Sequence, residues 1–318
     1  MWSRVRSPRC ACAPADVTHR LTLLTVHGHP DDESVNAGGV MARYATEGMR
    51  VVCVVCTRGE RGKIVVPELD TPANQARLGE IREAELEGAL KLLGPIEHFV
   101  LGYRDSGTMG SPENLDPASF WQADLDEAIG RLVLLVRRIQ PDVIVTCNEF
   151  GGDGHPDHIR AGEVARAAYE RSGDPNAYPE QLIGPDAVEP WSVSKLYETV
   201  TQLQRKEKVR RMLASRSVRT AAFAAIRYAR RWRPGQDDLR SRMAAAQRPA
   251  TTRVDVTPWL EAKYAAVAAH VTQVPRDSRI LALTPAQRRL VSPTEDFTLR
   301  ASRVPTVFPE TDLFAGMH

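Results

Sequence analysis

From Leu21 to Val200 the chain alternates short apolar runs with longer segments of helical spacing, and no other feature limits its fold as strongly. Leu21–Val26, Arg50–Thr57, His98–Leu101, Asp142–Cys147 and Ser194–Val200 read as strands. Between them, helical spacing runs from Ser34 through Val40, Met41 and Tyr44 to a stop near Gly48, and again over Asn74–Leu93, Ala123–Ile139 and Ile159–Tyr169. Strands alternating with helices of about 10–20 residues imply a mostly parallel sheet with helices on both faces, a Rossmann-like α/β fold. Ligands of such sheets bind beyond the carboxyl ends of the strands. The residues that matter should therefore follow the strands directly.

Beyond residue 200 the pattern changes. Val209–Trp232 is rich in Arg and Ala at approximate helical spacing and ends at Pro234-Gly235. Arg253–Val256 reads as a short strand, with Thr257 and Pro258 as N-cap and first position of a helix running through His270. The tail from Pro275, with its scattered prolines, reads as irregular wrapping. The expected organisation is a mobile tail over residues 1–19, an α/β catalytic domain over 20–200, and a basic helical segment with a C-terminal extension over 201–318 that completes or rims the same unit.

Lys plus Arg number 42 and Asp plus Glu 40, for a net charge of +2. That balance hides an asymmetry: residues 201–250 hold 14 basic against 3 acidic side chains, and the rest of the chain 28 against 37. The basic segment has no interleaved aromatics beyond Tyr228 and Trp232, which argues against a specific nucleic-acid partner. It reads as a solvated arm packing Val209, Met212, Val218, Phe223 and Ile226 on the body, the alternative being a rim that attracts an anionic substrate. The five cysteines are an odd, scattered set, which points to a reducing cytoplasm. Cys53 and Cys56 form a C-x-x-C, but three positions apart in a strand they point to opposite faces and read as core residues. The first twenty residues lack the apolar stretch of about 7–15 residues that a secretory signal needs. No run approaches the roughly 18 apolar residues of a membrane span.

Two clusters carry the chemistry. His27-Gly28-His29-Pro30-Asp31-Asp32-Glu33 follows the first strand, and Gly151-Gly152-Asp153-Gly154-His155-Pro156-Asp157-His158 follows the fourth and opens a helix. Together they can offer two imidazole nitrogens and a carboxylate oxygen to a divalent metal, leaving other positions for water and substrate. Asp31, Asp32 or Asp157 could each be a helix N-cap. Capping alone does not account for two His-Pro-Asp tripeptides at equivalent places in the topology. His27 reads as structural. Neither G-x-G-x-x-G nor G-x-x-x-x-G-K-[ST] occurs after a first strand, which counts against a nucleotide-binding oxidoreductase. Spacing alone leaves open which histidine of the second cluster is a ligand.

His29-Pro30-Asp31-Asp32-Glu33 paired with His155-Pro156-Asp157-His158 resembles the LmbE-like, PIG-L-type zinc deacetylases of N-acetylglucosaminyl compounds. Within that family the chain is most similar to the mycothiol-pathway branch, which holds a glucosaminyl-inositol deacetylase and a conjugate amidase. The resemblance covers roughly residues 21–200 and extends to the helix ending in His270 and Gln273. Gly59-Glu60-Arg61-Gly62, Arg82-x-x-Glu85 and Arg104-Asp105-Ser106-Gly107 also look like family positions. It implies that His29, Asp32 and His158 bind Zn2+, with Fe2+ as a competitor, that Asp31 is the general base, and that His155 stabilises the oxyanion as an imidazolium. Asp157 would orient His155 or a ligand. Arg82, Arg104 and Asp105 are candidates for holding an amino-sugar conjugate. One position departs from the branch: Asp153 stands where its members have a tyrosine, and a carboxylate there would oppose developing negative charge. The expected activity is removal of an acetyl group from an N-acetylglucosaminyl conjugate; the alternatives are a thiol-conjugate amidase and a non-catalytic sugar-binding relative.

Overall fold

The computed structural model describes residues 20–200, 248–278 and 280–317. The expected N-terminal tail and the Arg-rich helix over Val209–Trp232 lie outside the described residues. Seven strands, β1 (Thr22–His27), β2 (Arg50–Thr57), β3 (Glu97–Tyr103), β4 (Val143–Thr146), β5 (Lys195–Thr199), β6 (Thr252–Asp255) and β7 (Thr294–Ser302), form one sheet. Their order is β3-β2-β1-β4-β5-β7-β6. The first five are mutually parallel, as the alternation predicts, and β7 runs antiparallel to both β5 and β6.

The helices among the described residues are α1 (Asp32–Asn36), α2 (Gly38–Thr46), α3 (Pro72–Ala76), α4 (Leu78–Leu93), α5 (Leu125–Ile139), α6 (Gly151–Gly154), α7 (Pro156–Arg171), α8 (Leu260–Ala269) and α9 (Pro285–Val291). Alternation along the strands splits the core in two. Leu23, Val51, Cys53 and Val55 lie under α2, α4 and α8 with Val40, Leu86 and Tyr264. Leu24, Val26, Val52, Val54 and Cys56 lie under α5 and α7 with Leu132, Val136 and Val164. Cys53 and Cys56 thus belong to opposite faces, and both thiols are free and buried. Among the described residues no helix is long and apolar enough to cross a membrane.

Three expectations about the chain need correction. The helices read from Ser34 and Asn74 are each two helices, interrupted at Ala37 and Arg77. Thr257 is not an N-cap: its hydroxyl donates to Pro293 O (3.3 Å), a 3₁₀ turn covers Thr257–Trp259, and α8 starts at Leu260. The tail after Pro275 is not irregular wrapping, because it contains α9 and β7, and β7 lies inside the sheet. A charged residue at a buried position hides that strand from a hydropathy reading. Glu295 accepts the backbone N–H groups of Gly39 and Val40 (2.8 and 2.9 Å) at the start of α2, and it pairs with Lys263. Placed there, the carboxylate meets the positive end of the helix.

Candidate metal centre

β1 and β4 are neighbours at the point where the strand order reverses, which in an open α/β sheet is where ligands bind. The first cluster leaves β1 there and the second leaves β4, so residues about 125 apart in sequence meet. Each cluster is shaped by its helix start. Asp31 precedes α1 with φ 104° and caps nothing with its side chain. Such a conformation in a residue other than glycine is strained and occurs mostly at functional sites. In the second cluster His155, not Asp157, caps α7: its Nδ1 accepts the Asp157 N–H at 3.2 Å, and Pro156 takes the first helical position. The capping reading of the aspartates is thereby excluded.

His29 Nδ1 faces His158 Nε2 at 3.1 Å, Asp32 Oδ2 lies 3.1 Å from that Nε2, and it lies 3.6 Å from His29 Nδ1. Donors about 2.0–2.2 Å from a tetrahedral metal stand roughly 3.3–3.6 Å from one another, so this triangle fits a small divalent cation. The remaining ring nitrogens are occupied. His29 Nε2 hydrogen-bonds Asp157 Oδ2 (3.0 Å) and lies 3.7 Å from Asp105 Oδ1. His158 Nδ1 hydrogen-bonds Gly151 O (3.0 Å), with Asp153 Oδ1 at 3.2 Å. Carboxylate and carbonyl partners on the far nitrogen are what orient metal-binding imidazoles. His29, His155 and His158 also form a group close enough to share an ion, as do His29, Asp105, His155 and Asp157. In that second group Asp157 is already held by the Ser106 hydroxyl and the Ser106 N–H (2.9 Å).

The electrostatics favour positive charge at the triangle. Burial alone would lower both histidines, yet Asp105, Asp157 and Asp32 raise His29, and Asp32 and Asp153 raise His158, well above the usual imidazole range. Burial would raise Asp32 and Asp153, but His158 holds both below the usual carboxylate range. His155 differs from its neighbours: burial, then the nearby His29 and His158, push it down to about 4. With Nδ1 accepting the Asp157 N–H, the neutral ring carries its proton on Nε2. Asp31 goes the other way, raised to about 6 by burial against the pull of Arg82.

Arg82 is 4% exposed and faces protein, donating to Gly59 O (2.7 Å) and Pro30 O and pairing with Asp31 at 3.4 Å. Asp105 is likewise enclosed, accepting from Arg61 N (3.0 Å) and Gly107 N (2.8 Å), while Glu60 accepts its N–H. The structure thus brings Arg82 and Asp105 to the cluster but not Arg104, whose half-exposed guanidinium pairs with Asp116 at 3.4 Å. His27 is the last residue of β1 and fully buried, in keeping with a structural role. Ser106, which sits in a family-like tetrapeptide but received no role from the sequence, is the partner of Asp157. Glu33 and His270 form a buried pair that sequence reasoning also missed, because 237 positions separate them. A cleft of about 450 Å³ adjoins the centre, and its lining includes Asp31, Asp32, Asp153 and His158 together with Lys263, Tyr264 and Asp296.

Residues 24–169 match the PIG-L family, GlcNAc-PI de-N-acetylase. A 1D-myo-inositol 2-acetamido-2-deoxy-alpha-D-glucopyranoside deacetylase of Streptomyces avermitilis is 42% identical over 304 residues, covering 93% of this chain and 97% of that protein. Among solved structures, the N,N'-diacetylchitobiose deacetylase of Pyrococcus horikoshii superposes with a TM-score of 0.59 at 21% identity, over 88% of this chain and 84% of that one. The 4-carboxy-2-hydroxymuconate hydratase GalB of Pseudomonas putida superposes with a TM-score of 0.54 at 18% identity, over 90% and 99%. The fold is thus shared with a hydratase, and the chemistry has to be argued from the site.

Proposed function

The chain belongs to the PIG-L, GlcNAc-PI de-N-acetylase family, and we propose that it is a metal-dependent hydrolase that removes the acetyl group from the amide nitrogen of an N-acetylglucosaminyl conjugate. The reaction cleaves a linear amide C–N bond and yields acetate and a free amine. The observation that carries this reading is the donor triangle of His29, Asp32 and His158, closed to 3.1–3.6 Å, with the displaced carboxyl of Asp31 next in the chain. The name of the 42%-identical relative supports an N-acetylglucosaminyl-inositol as substrate. It favours acetate release over cleavage of a larger thiol-conjugate amide.

We assign His29, Asp32 and His158 as ligands of the cation, and zinc as that cation with Fe2+ as competitor, from the two-nitrogen, one-oxygen donor set. When bound, it polarises the amide carbonyl and lowers the pKa of water to about 7. Asp31 takes the proton of the attacking water as the C–O bond forms and returns it to nitrogen as the C–N bond breaks. A carboxyl at about 6 suits both steps: it is mostly ionised at neutral pH, yet holds a proton better than an ordinary aspartate. The Nε2–H of His155 donates to the carbonyl oxygen as negative charge gathers there. Asp157 and Asp105 fix the ring of His29, Asp153 fixes that of His158, and Arg82 steadies the Asp31 loop. A carboxylate at 153 therefore serves a ligand, and needs no direct part in stabilising the oxyanion. The cleft volume lies within the range of small-molecule sites, about 300–1,000 Å³, and suits a sugar conjugate. The free thiols Cys53, Cys56 and Cys147 support assignment to the reducing cytoplasm.

Acetate release from an N-acetylglucosaminyl-inositol, beside a panel of larger N-acyl analogues, tests the proposal on zinc-loaded protein. Turnover highest with the acetyl compound and abolished in Asp31→Ala at unchanged zinc content is the expected result. Zinc binding well below one per chain, or faster release of larger acyl groups, would overturn it.

A further inference from the structure

The strained Asp31 backbone is held from the far end of the chain. Glu33 is fully buried, and its Oε2 accepts the Asp31 N–H at 2.8 Å. Its Oε1 accepts from the Ser34 hydroxyl (2.5 Å) and from His270 Nε2 (2.9 Å), and His270 is itself fully buried at the end of α8. The chain beyond His270 is anchored independently: Thr272 donates its N–H and hydroxyl to the two oxygens of Glu85 on α4 (2.7 Å each), and Thr272 O accepts Val65 N–H at 2.8 Å. The contacts of Thr272 therefore hold this segment separately from the His270–Glu33 bond. Without its imidazole donor, the Glu33 carboxylate would keep only neighbours from its own loop.

We propose that His270 is a positioning residue for the deacetylation, acting through Glu33 to hold the Asp31 backbone in the left-handed conformation that aims its carboxylate into the cleft. The proposal rests on the general-base assignment of Asp31. Removing the donor lets Asp31 relax toward ordinary backbone angles, and a misplacement of about 1 Å in a reacting group can cost about 10² in rate. Substrate contacts and metal donors are left in place, so the loss falls on kcat and not on KM. A buried pair that served only to pin α8 would lower stability and leave the kinetics of the folded protein alone.

The test compares zinc-loaded His270→Met, His270→Gln and Thr272→Val with wild type for kcat, KM, zinc content and melting temperature. His270→Met should lose ten- to hundredfold in kcat with KM within twofold. His270→Gln places an N–H donor where Nε2 was and should recover most of kcat. Thr272→Val loosens the anchor of the same segment without touching Glu33, and should lower the melting temperature at unchanged kcat. Unchanged kcat in His270→Met, a loss in KM alone, no recovery in His270→Gln, or an equal kcat loss in Thr272→Val would each overturn the proposal. Should His270→Met fail to fold, Glu33→Gln, which cannot accept from all three donors, supplies the same reading: a kcat loss at constant KM supports it and wild-type kcat overturns it. Asp31→Asn run alongside separates the two levels, since wild-type kcat there would sink the general-base assignment whatever the His270 variants do.

Discussion

Two buried polar clusters sit in the same sheet and are wired in opposite ways. On the C-terminal flank, Lys195 Nζ donates to Glu310 Oε1 (2.6 Å), Ala315 O (2.7 Å) and the Tyr197 hydroxyl, while Glu310 Oε2 accepts from Tyr197 and Thr252. One cation meets one anion and the remaining polar atoms are matched within the protein. At the ends of β1 and β4, Asp32, Asp105, Asp153 and Asp157 surround two imidazoles whose nitrogens face each other at 3.1 Å, and Asp31 is held at φ 104°. Negative charge is in excess there and the donors converge on a point. Buried charge alone therefore identifies no site; the informative signs are an unbalanced donor set and a strained backbone.

Damage to one cluster should cost rate, and damage to the other should cost stability. The largest effect is expected for Asp31→Asn, which should lower kcat about 10²–10⁴-fold at unchanged zinc content. The same variant carries a pH signature in metal-free protein. Burial raises the folded pKa of Asp31 from 3.8 to about 6, so folding disfavours its ionised form. Above pH 6 metal-free Asp31→Asn should be more stable than metal-free wild type, with the advantage shrinking below that pH and vanishing near pH 4. Denaturant titrations across this window check it; a difference independent of pH would contradict it. On the other flank, Glu310→Gln leaves Lys195 buried without its anion and should cost about 3–5 kcal/mol in denaturant titration. Its kcat, measured on folded protein, should match wild type. A large kcat loss there would erase the distinction between the clusters.

Two glycines sharpen the comparison at smaller scale. A Cβ at Gly28 would stand 2.6 Å from His158 Cδ2, so Gly28→Ala has to displace that ring. Chelator competition should show zinc affinity weakened about 10–100-fold, the size expected when a ligand loses its orientation. At Gly88, within α4, a Cβ would meet nothing within 4 Å. Gly88→Ala should therefore stabilise the fold by about 0.5–1 kcal/mol at unchanged zinc affinity, as a calorimetric melt would register.

The unequal legibility of the two flanks has a physical cause. The parallel half could be read because β1, β2 and β4 are largely apolar runs and the clusters that follow β1 and β4 are local in sequence. His29, Asp31 and Asp32 share one turn, and His155, Asp157 and His158 share another. The C-terminal half hid itself by burying charge. Glu295 and Glu310 occupy interior positions that hydropathy assigns to surface, and β7, which carries Glu295, was missed for that reason. Partnerships across long separations were equally invisible. Nothing local says that His270 meets Glu33, or that Ser106 meets Asp157. The tautomer of His155 follows from its becoming the cap of α7, which only the placed backbone reveals.

Which side chains hold the cation is tested most directly by X-ray absorption at the zinc edge of the loaded protein. His29, Asp32 and His158 as ligands predict two imidazoles with the remaining scatterers oxygen, unchanged in His155→Ala. Three imidazoles in wild type falling to two in His155→Ala, or sulfur from Cys147 on the cleft wall, would contradict it.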